Sequence, residues 1–248
     1  MSGYQNRLQD KVIIITGAAQ GMGATHARLC IAAGAKVVLT DQQADKGQQL
    51  ADELGNNALF IKHDVTNEQD WAQVILKTEE TFGAINVLVN NAGITSSKSI
   101  LDTSLDDYRR IIDINQVSVF LGMKAVIPSM QKTKQDSIIN ISSINGLVGG
   151  AIGYTDSKFA VRGMTKAVAL ECAPFGIRVN SVHPGVIATP MIMQGDTKAA
   201  VEAFAKTIPM QRVAEPEEVS GIVLFLASDD SSYATGSEFI IDGGITAR

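Results

Sequence analysis

The 248-residue sequence is poor in the residues that mark small secreted, fibrous or nucleic-acid-binding proteins. It has only two cysteines, Cys30 and Cys172, far apart and in apolar surroundings, which excludes a disulfide framework and predicts reduced, buried thiols. It has 6 prolines, and its 22 glycines lack a three-residue period, which excludes a collagen-like chain. A net charge of −5 argues against broad electrostatic binding to nucleic acid.

Long hydrophobic runs are also missing. The longest, such as 221–227, fall well short of the roughly 18 residues that cross a bilayer, and residues 1–11 lack a signal-peptide pattern. We therefore expect no membrane segment and a cytoplasmic protein. Hydrophobic residues make up 45% of the sequence and charged residues 19%, which is an ordinary globular balance. Because no linker or repeat interrupts the chain, we expect a single domain over residues 1–248.

Short apolar runs alternate with longer amphipathic stretches. The runs predict strands at 12–15, 36–40, 58–62, 86–90, 137–142, 177–182 and 238–242. The stretches predict helices at 22–33, 44–54, 67–82, 108–130, 154–173 and 217–226. The runs are apolar at successive positions, which is typical of parallel strands covered on both faces. The sequence thus predicts an α/β fold, a single doubly wound Rossmann-type domain whose mostly parallel seven-stranded sheet is flanked by helices on both faces.

Ligands of such sheets bind at the carboxyl ends of the strands, where a glycine-rich turn follows the first predicted strand. Its glycines are Gly17, Gly21 and Gly23. Glycine permits a tight turn and a close approach of backbone to ligand, and the next helix directs free N–H groups at the turn, so a diphosphate fits there. A plain tight turn is the alternative. The turn lacks a Gly-Lys-Ser/Thr ending, which disfavours a phosphate-loop NTPase.

Asp41 directly follows the second predicted strand. An acid there accepts hydrogen bonds from both hydroxyls of an adenosine ribose and repels a 2′-phosphate. No Arg or Lys lies in 17–23 or 40–44 to attract that phosphate, so the sequence favours NAD(H) over NADP(H). A solvated loop acid is the alternative. Asp64 and Val65 follow the third strand, where an adenine edge would lie, although Asp64 is also typical of a residue that starts a turn.

Tyr154 and Lys158 are spaced i, i+4 on a predicted helix, so they share a face. A free tyrosine has a pKa of ~10, which is too high for a base at neutral pH. An ammonium ~4 Å away, at an effective dielectric of ~20, is worth ~4 kcal/mol. We therefore expect Lys158 to lower the pKa of Tyr154 into the range for proton transfer. The same spacing also occurs in structural pairs on helix surfaces.

Five motifs occur in order along the chain: TGAAQGMG at 16–23, NNAG at 90–93, Ser143 with Tyr154-x-x-x-Lys158, HPGVIATP at 183–190 and IDGG at 241–244. Together they resemble the short-chain dehydrogenase/reductase family, over residues 8–244. The resemblance implies an NAD-dependent enzyme that interconverts a secondary alcohol and a ketone by hydride transfer, with a small-molecule substrate. It also implies a homotetramer, with the last strand and the helices near Asn115 and Tyr154 at interfaces.

The resemblance also implies roles for individual residues. Tyr154 would be the general acid/base, and Lys158 would lower its pKa and hold the nicotinamide ribose. Ser143 would position the substrate oxygen, with Ser142 as the second candidate, and Asn115 would keep a water linked to Lys158. The implied cofactor-binding residues are Gly17, Gln20, Gly21, Met22, Gly23, Asp41, Asp64, Val65, Asn91, Ala92, Gly93, Tyr154, Lys158, Pro184, Gly185, Ile187 and Thr189.

The three histidines, His26, His63 and His183, lack metal-ligand spacing, so we predict no metal site. We interpret His26 as a helix residue, His63 as part of the adenosine-side loop and His183 as strand-end packing. Trp71 is interpreted as a core residue of the third helix.

The substrate side departs from the family pattern. The connection from Ser143 to Tyr154 is shorter than in most members, which shortens the pocket wall and prevents carry-over of a particular substrate. Segment 189–212 is apolar and rich in methionine, and it predicts either a mobile lid or an amphipathic helix over the core. Because no basic cluster lies near 148–154, we favour an uncharged apolar substrate: a cyclic ketone, a hydroxysteroid, or a simple aryl or alkyl ketone.

Two other functions stay open. A 3-oxoacyl-thioester (acyl-carrier-protein) reductase would need basic residues that meet an acidic carrier, and usually NADPH; the acidic chain and Asp41 argue against it. A non-catalytic dinucleotide-sensing protein would usually have lost Tyr154 or Lys158, and both are present.

Overall fold

The computed structural model describes residues 6–133, 135–190, 201 and 203–247. The strands are β1 (Val12–Thr16), β2 (Lys36–Asp41), β3 (Ala58–Lys62), β4 (Val87–Asn90), β5 (Asp136–Ile141), β6 (Ile177–Pro184) and β7 (Glu238–Ile241). They form one sheet of seven strands in the order β3-β2-β1-β4-β5-β6-β7. Every pair is parallel. The predicted fold class is confirmed, and the sheet is entirely rather than mostly parallel.

Helices cover both faces of the sheet. They are α1 (Gly21–Ala32), α2 (Ala44–Leu54), α3 (Glu68–Phe82), α4 (Leu105–Ile112), α5 (Ser118–Met130), α6 (Tyr154–Cys172) and α7 (Pro216–Ala227). Ile13 and Ile15 of β1 pack on the face that contains Cys30 of α1, whereas Ile14 packs on the face that contains Trp71 and Cys172. Successive strand residues are therefore all buried, which explains the continuous apolar runs. Trp71 is a core residue, as predicted.

The fourth predicted helix begins earlier than its apolar pattern indicates. Ser104 and Asp107 form a capping box, so α4 starts at Leu105 instead of residue 108. A π-helical turn at Asp113–Val117 joins α4 to α5. The stretch Leu105–Met130 is long and apolar enough to cross a membrane by length and composition alone. In the structure the buried side of α5, which includes Met123, packs in the same core cluster as Trp71.

The strand order reverses between β1 and β4. Connections lead outward from β1 to β2 and β3, and then return to β4 on the other side of β1. Parallel sheets bind ligands in the crevice at such a point. Residues 191–200 and 202 of the predicted lid lie outside the described residues, so the lid stays a prediction.

Candidate active site

A cleft of about 340 Å³ lies at the carboxyl edge where the strand order reverses. Ten of the predicted cofactor-binding residues line it: Gly17, Gln20, Gly21, Met22, Asp41, Val65, Asn91, Ala92, Gly93 and Thr189. Pro190, the last residue of the motif at 183–190, also lines it. The sequence motifs did not point to five further lining residues, namely Gln42, Gln43, Ile94, Arg110 and Ile114. They come from loops and helix surfaces that carry no motif, so only the fold brings them to the cleft.

Backbone atoms form the glycine-rich turn at one end of the cleft. Gly17 has a φ of +63°, which L side chains rarely adopt. Gly23 lies behind the turn, where an added Cβ would stand 2.3 Å from the carbonyl oxygen of Gly17. The amino end of α1 therefore approaches the turn more closely than any side chain would permit, which leaves its free N–H groups directed at the cleft.

Thr16 ties this turn to the end of β4. Its hydroxyl oxygen accepts the backbone N–H groups of Asn91 and Ala92, each at 3.0 Å. In return the Asn91 amide donates to the carbonyl oxygen of Thr16 at 2.9 Å and to that of Gly17 at 3.2 Å. The motifs at 16–23 and 90–93 thus form one hydrogen-bonded unit across the reversal point.

Asp41 forms the next corner of the cleft. Its carboxylate accepts the backbone N–H of Ala19 at 3.1 Å and that of Gln43 at 2.9 Å. A cation stands at the same corner, since the Lys46 ammonium donates to Oε1 of Gln43 at 2.8 Å and to Oε1 of Gln20 at 3.1 Å. The stretches 17–23 and 40–44 contain no cation, but the first turn of α2 supplies one.

The third predicted corner is only partly in the cleft. Val65 and His63 line it, whereas Asp64 does not. The Asp64 carboxylate accepts both the backbone N–H and the hydroxyl of Thr66, and these hydrogen bonds hold its pKa below the usual range. This is the turn-starting arrangement that the sequence left open. His63 is bound through Nδ1 to the Thr40 hydroxyl at 3.0 Å.

These residues fit a dinucleotide. The turn at Gly23 has no space for a Cβ atom. Oδ1 of Asn91 and Nε2 of His63 are buried polar atoms that lack a hydrogen-bond partner among the described residues. A nucleotide that offers donors and acceptors along the cleft would give such atoms partners.

Tyr154 and Ser143 meet at the other end of the sheet edge. Tyr154 opens α6, and Ser143 follows β5. The Ser143 hydroxyl interacts with the Tyr154 hydroxyl in the sense that lowers the tyrosine pKa, while burial raises that pKa more strongly. The backbone N–H of Asn145 donates to Ser143 Oγ at 3.1 Å, which leaves the serine proton free to be donated. The short connection therefore still lets the pair meet.

Ser142 faces elsewhere. Its hydroxyl donates to the carbonyl oxygen of Lys158 at 3.0 Å. Because the Ser142 hydroxyl is bound to the backbone of α6, Ser143 is the serine whose hydroxyl interacts with Tyr154.

Lys158 corrects one expectation. We expected its ammonium to lower the pKa of Tyr154, but burial raises that pKa, and Lys158 is not among the groups that lower it. Its Nζ lies 5.6 Å from the centroid of the tyrosine ring and donates to the carbonyl oxygen of Ile141 at 2.8 Å. Burial lowers the pKa of Lys158 itself to about 8. The prediction failed because spacing on a helix gives neither the direction of the amine nor its burial.

Asn115 lies in the π-helical turn and is fully buried. Its side chain holds the backbone of Ile94 on both sides, since it accepts the N–H at 2.8 Å and donates to the carbonyl oxygen at 2.9 Å. An added Cβ on Gly93 would lie 3.3 Å from Asn115 Oδ1 and 3.6 Å from Lys158 Nζ. Asn115, Gly93 and Lys158 are thus brought together. The water that Asn115 would keep stays a prediction.

The segment after β6 reaches the cleft only at its end. Thr189 lines the cleft, whereas Ile187 is buried in the core on the α1 side of the sheet. Gly185 passes close to β7, where an added Cβ would stand 2.8 Å from Asp242 Cα. The predicted nicotinamide contacts of Pro184, Gly185 and Ile187 stay predictions. Within the described ranges, no group of three His, Cys, Asp or Glu residues is arranged to hold a metal ion.

Comparisons with known proteins match this architecture. A family model described as enoyl-(acyl carrier protein) reductase matches residues 17–246. A 3-alpha-(or 20-beta)-hydroxysteroid dehydrogenase from Mycobacterium bovis is 48% identical, over 100% of this chain and 92% of that protein. A cyclopentanol dehydrogenase from a Comamonas species is 48% identical over 98% and 99%. An NADP-dependent (R)-specific alcohol dehydrogenase from Lentilactobacillus kefiri is 42% identical over 98% and 99%.

A solved structure agrees with the fold. The crystal structure of a short-chain type dehydrogenase/reductase from Mycobacterium marinum has a TM-score of 0.91 and is 38% identical, with 97% of each chain covered. Together with the near-complete match of the family model, this shows that the chain belongs to the short-chain dehydrogenase/reductase family.

Proposed function

We propose that the protein is an NAD(H)-dependent oxidoreductase that interconverts a secondary alcohol and a ketone, with Tyr154 as its general acid/base. Family dehydrogenases use nicotinamide cofactors and small-molecule substrates. The observation that carries the proposal is the interaction of the Ser143 side chain with Tyr154, which lowers the tyrosine pKa, at the same carboxyl edge of the sheet as the cleft. When bound, the nicotinamide would supply or accept the hydride.

The chain's own residues would handle the proton. In reduction, Tyr154 donates its proton to the ketone oxygen, and in oxidation it accepts the alcohol proton. Ser143 donates a hydrogen bond to the same oxygen, since Asn145 N–H occupies only a lone pair of Oγ and leaves the hydroxyl proton available. Lys158, with a pKa of about 8, is poised to exchange protons near neutral pH. The turn of Gly17, Gly21, Met22 and Gly23 would hold the diphosphate, and Lys158 the nicotinamide ribose.

Asp41 supports NAD(H) as the preferred cofactor. Its carboxylate faces a corner where a ribose hydroxyl would be accepted and a 2′-phosphate repelled. Lys46 lies at the same corner. When Asp41 is replaced by a neutral residue, the positive charge of Lys46 remains and would attract the 2′-phosphate of NADP. We expect Asp41→Asn to raise kcat/KM for NADP about tenfold or more, the order of one charge-assisted contact. The double variant D41N/K46Q, as control, should lose most of that gain. A wild-type enzyme that already prefers NADPH would contradict the assignment.

An uncharged apolar substrate fits best. Two of the similar proteins are named as dehydrogenases of such alcohols, namely hydroxysteroids and cyclopentanol. We propose a cyclic or steroid-like secondary alcohol as substrate. The test is a panel of secondary alcohols and 3-oxoacyl thioesters, each with NAD(H) and NADP(H), followed by absorbance of the reduced nicotinamide. Turnover of thioesters alone would favour the acyl-carrier-protein reductase. Nucleotide binding without any turnover would favour a dinucleotide sensor.

We also propose that the chain is a single domain that assembles as a homotetramer. Phe120 on α5, Phe159 on α6 and Ile240 on β7 are apolar side chains exposed by 49%, 40% and 48%. These are the elements that the resemblance places at interfaces. Light scattering after size exclusion should give four times the chain mass; a monomer would contradict the assembly. A cytoplasmic location stays a prediction.

A further inference from the structure

His183 differs from the other two histidines of the chain. His26 and His63 each have a ring nitrogen with no hydrogen-bond partner among the described residues. His183 is fully buried, and both of its nitrogens are engaged: Nδ1 lies 2.9 Å from the carbonyl oxygen of Ser143, and Nε2 lies 2.9 Å from Ser181 Oγ. Since a carbonyl oxygen only accepts, Nδ1 carries the proton and Nε2 accepts the Ser181 hydroxyl. The ring is therefore fixed in one tautomer.

The contact extends the β5–β6 pairing beyond its last backbone hydrogen bond. Ser142 N–H still donates to the carbonyl oxygen of Val182 at 2.8 Å. At Ser143 the chain leaves the sheet for a 3-10 turn at Ile144–Gly146. At this point the His183 imidazole, instead of a backbone N–H, donates to the carbonyl oxygen of Ser143. It thereby fixes the backbone of the serine whose side chain interacts with Tyr154.

We propose that His183 is a positioning residue, which holds the backbone of Ser143 so that the serine hydroxyl stays aimed at Tyr154. The proposal rests on the proposed function only for its effect on turnover. Burial holds the pKa of His183 below its usual value, in agreement with a neutral ring that donates only through Nδ1. The groups that act on it electrostatically are Glu238, Arg162 and Lys158.

Three variants separate positioning from packing. In His183→Asn, the side-chain amide lies near the place of Nδ1 and restores the donor. In His183→Gln, the amide reaches toward the place of Nε2 and does not. His183→Leu fills the space without any donor. We expect H183L and H183Q to lose about tenfold in kcat, the order of one hydrogen bond, and H183N to keep most of it. NADH affinity should stay within about twofold in all three.

A second readout needs neither cofactor nor substrate. Ultraviolet difference titration of the apoprotein, corrected with a matched Tyr154→Phe partner for each variant, isolates this tyrosine from the other three. A misplaced Ser143 removes the interaction that lowers the pKa of Tyr154. The tyrosine should therefore titrate at higher pH in H183L and H183Q than in the wild type or H183N.

The outcomes decide the proposal. Equal turnover and equal tyrosine titration in H183N and H183Q would overturn it, even if H183L failed to fold. A titration shift with no turnover in any variant, including the wild type, would support His183 while contradicting the proposed function. Lower thermal stability without either change would leave His183 a packing residue and overturn the proposal.

Discussion

The two ends of the sheet edge differ in the atoms that form them. We call the region of the glycine turn and Asp41 the cofactor end, and the region of Tyr154, Ser143 and Lys158 the chemical end. The cofactor end consists mainly of backbone: glycines that leave no room for a Cβ, N–H groups at the start of α1, and loops tied together by Thr16 and Asn91. The chemical end consists of side chains, the buried Ser143 and Lys158 and the partly buried Tyr154, and burial shifts the pKa values of Tyr154 and Lys158. A backbone requirement leaves its mark in the sequence as a glycine, whereas a shifted pKa leaves none.

A large effect on kcat is expected at the chemical end, where the two neighbouring serines can be compared. Ser143→Ala removes the hydroxyl that meets Tyr154, so kcat should fall by about 10²-fold, as for other groups that aid proton transfer. Ser142→Ala removes only a hydrogen bond to the backbone of Lys158, so kcat should change by less than about tenfold. Steady-state kinetics of purified variants checks both. The reverse order of effects would mean that Ser142 is the positioning serine.

A substitution of Lys158 tests whether burying its charge lowers the free energy of unfolding. Its pKa of about 8 in the fold lies below the value of 10.5 for a free lysine. At about 1.4 kcal/mol per pKa unit, the buried charge costs up to roughly 3 kcal/mol below pH 8. That cost is relieved as the pH rises from about 8 toward 10.5, because only the unfolded chain then keeps the proton.

Lys158→Met should therefore abolish turnover yet raise the free energy of unfolding by about 2 kcal/mol at neutral pH, after loss of one hydrogen bond. The gain should narrow above pH 8. Lys77→Met, on the exposed side of α3, is the control and should change little. Urea titrations at several pH values provide the measurement. A Lys158→Met variant with a lower free energy of unfolding than the wild type would show that the buried amine does not destabilise the fold.

Gly23 tests the cofactor end by comparison with Gly221 of α7. A Cβ at Gly23 would stand 2.3 Å from a backbone oxygen, whereas one at Gly221 meets nothing within 4 Å. Gly23→Ala should weaken NADH binding about tenfold, since the turn must open and lose contacts to the diphosphate. Gly221→Ala should bind NADH normally and gain up to about 1 kcal/mol from helix propensity. Equal NADH affinities, measured by fluorescence, would contradict the close-packed turn.

The smallest effect belongs to His26, which anchors α1 to α7 through Ser220 Oγ at 2.7 Å. Burial lowers its pKa from 6.5 to about 3. Between these values the unfolded chain takes up a proton and the fold does not, so stability is lost as the pH falls. Between pH 7 and 5.5 this loss amounts to about 1 kcal/mol. His26→Gln should flatten that slope. An unchanged slope in urea titrations would show that His26 is protonated in the fold.

Much of the fold was predictable from particular segments. The run at 12–15 is buried on both faces, and Gly83 ends α3 where the sequence predicts, with a φ of +94°. Capping was the weaker part, since the Ser104–Asp107 box starts α4 three residues before the apolar pattern does. Local side-chain hydrogen bonds outweigh hydrophobic periodicity at helix ends.

Less of the site was predictable. The glycine turn and Asp41 line one cleft, as their positions after strands indicate, and Ser143 lies beside Tyr154. Arg110 lines the cleft from a helix surface without a motif, and Lys46 binds two glutamines that line it. The carboxylate of Asp64 instead binds Thr66. The state of Lys158 follows from burial, which depends on tertiary packing and is invisible in an i, i+4 spacing.

The most direct test of the central claim is a single-turnover comparison of wild type and Tyr154→Phe, with NADH saturation established separately by fluorescence titration and a cyclic ketone as substrate. The account predicts that the rate of NADH oxidation falls by about 10³-fold while the Kd for NADH stays within about twofold. A variant that oxidises NADH at close to the wild-type rate would contradict Tyr154 as the proton donor.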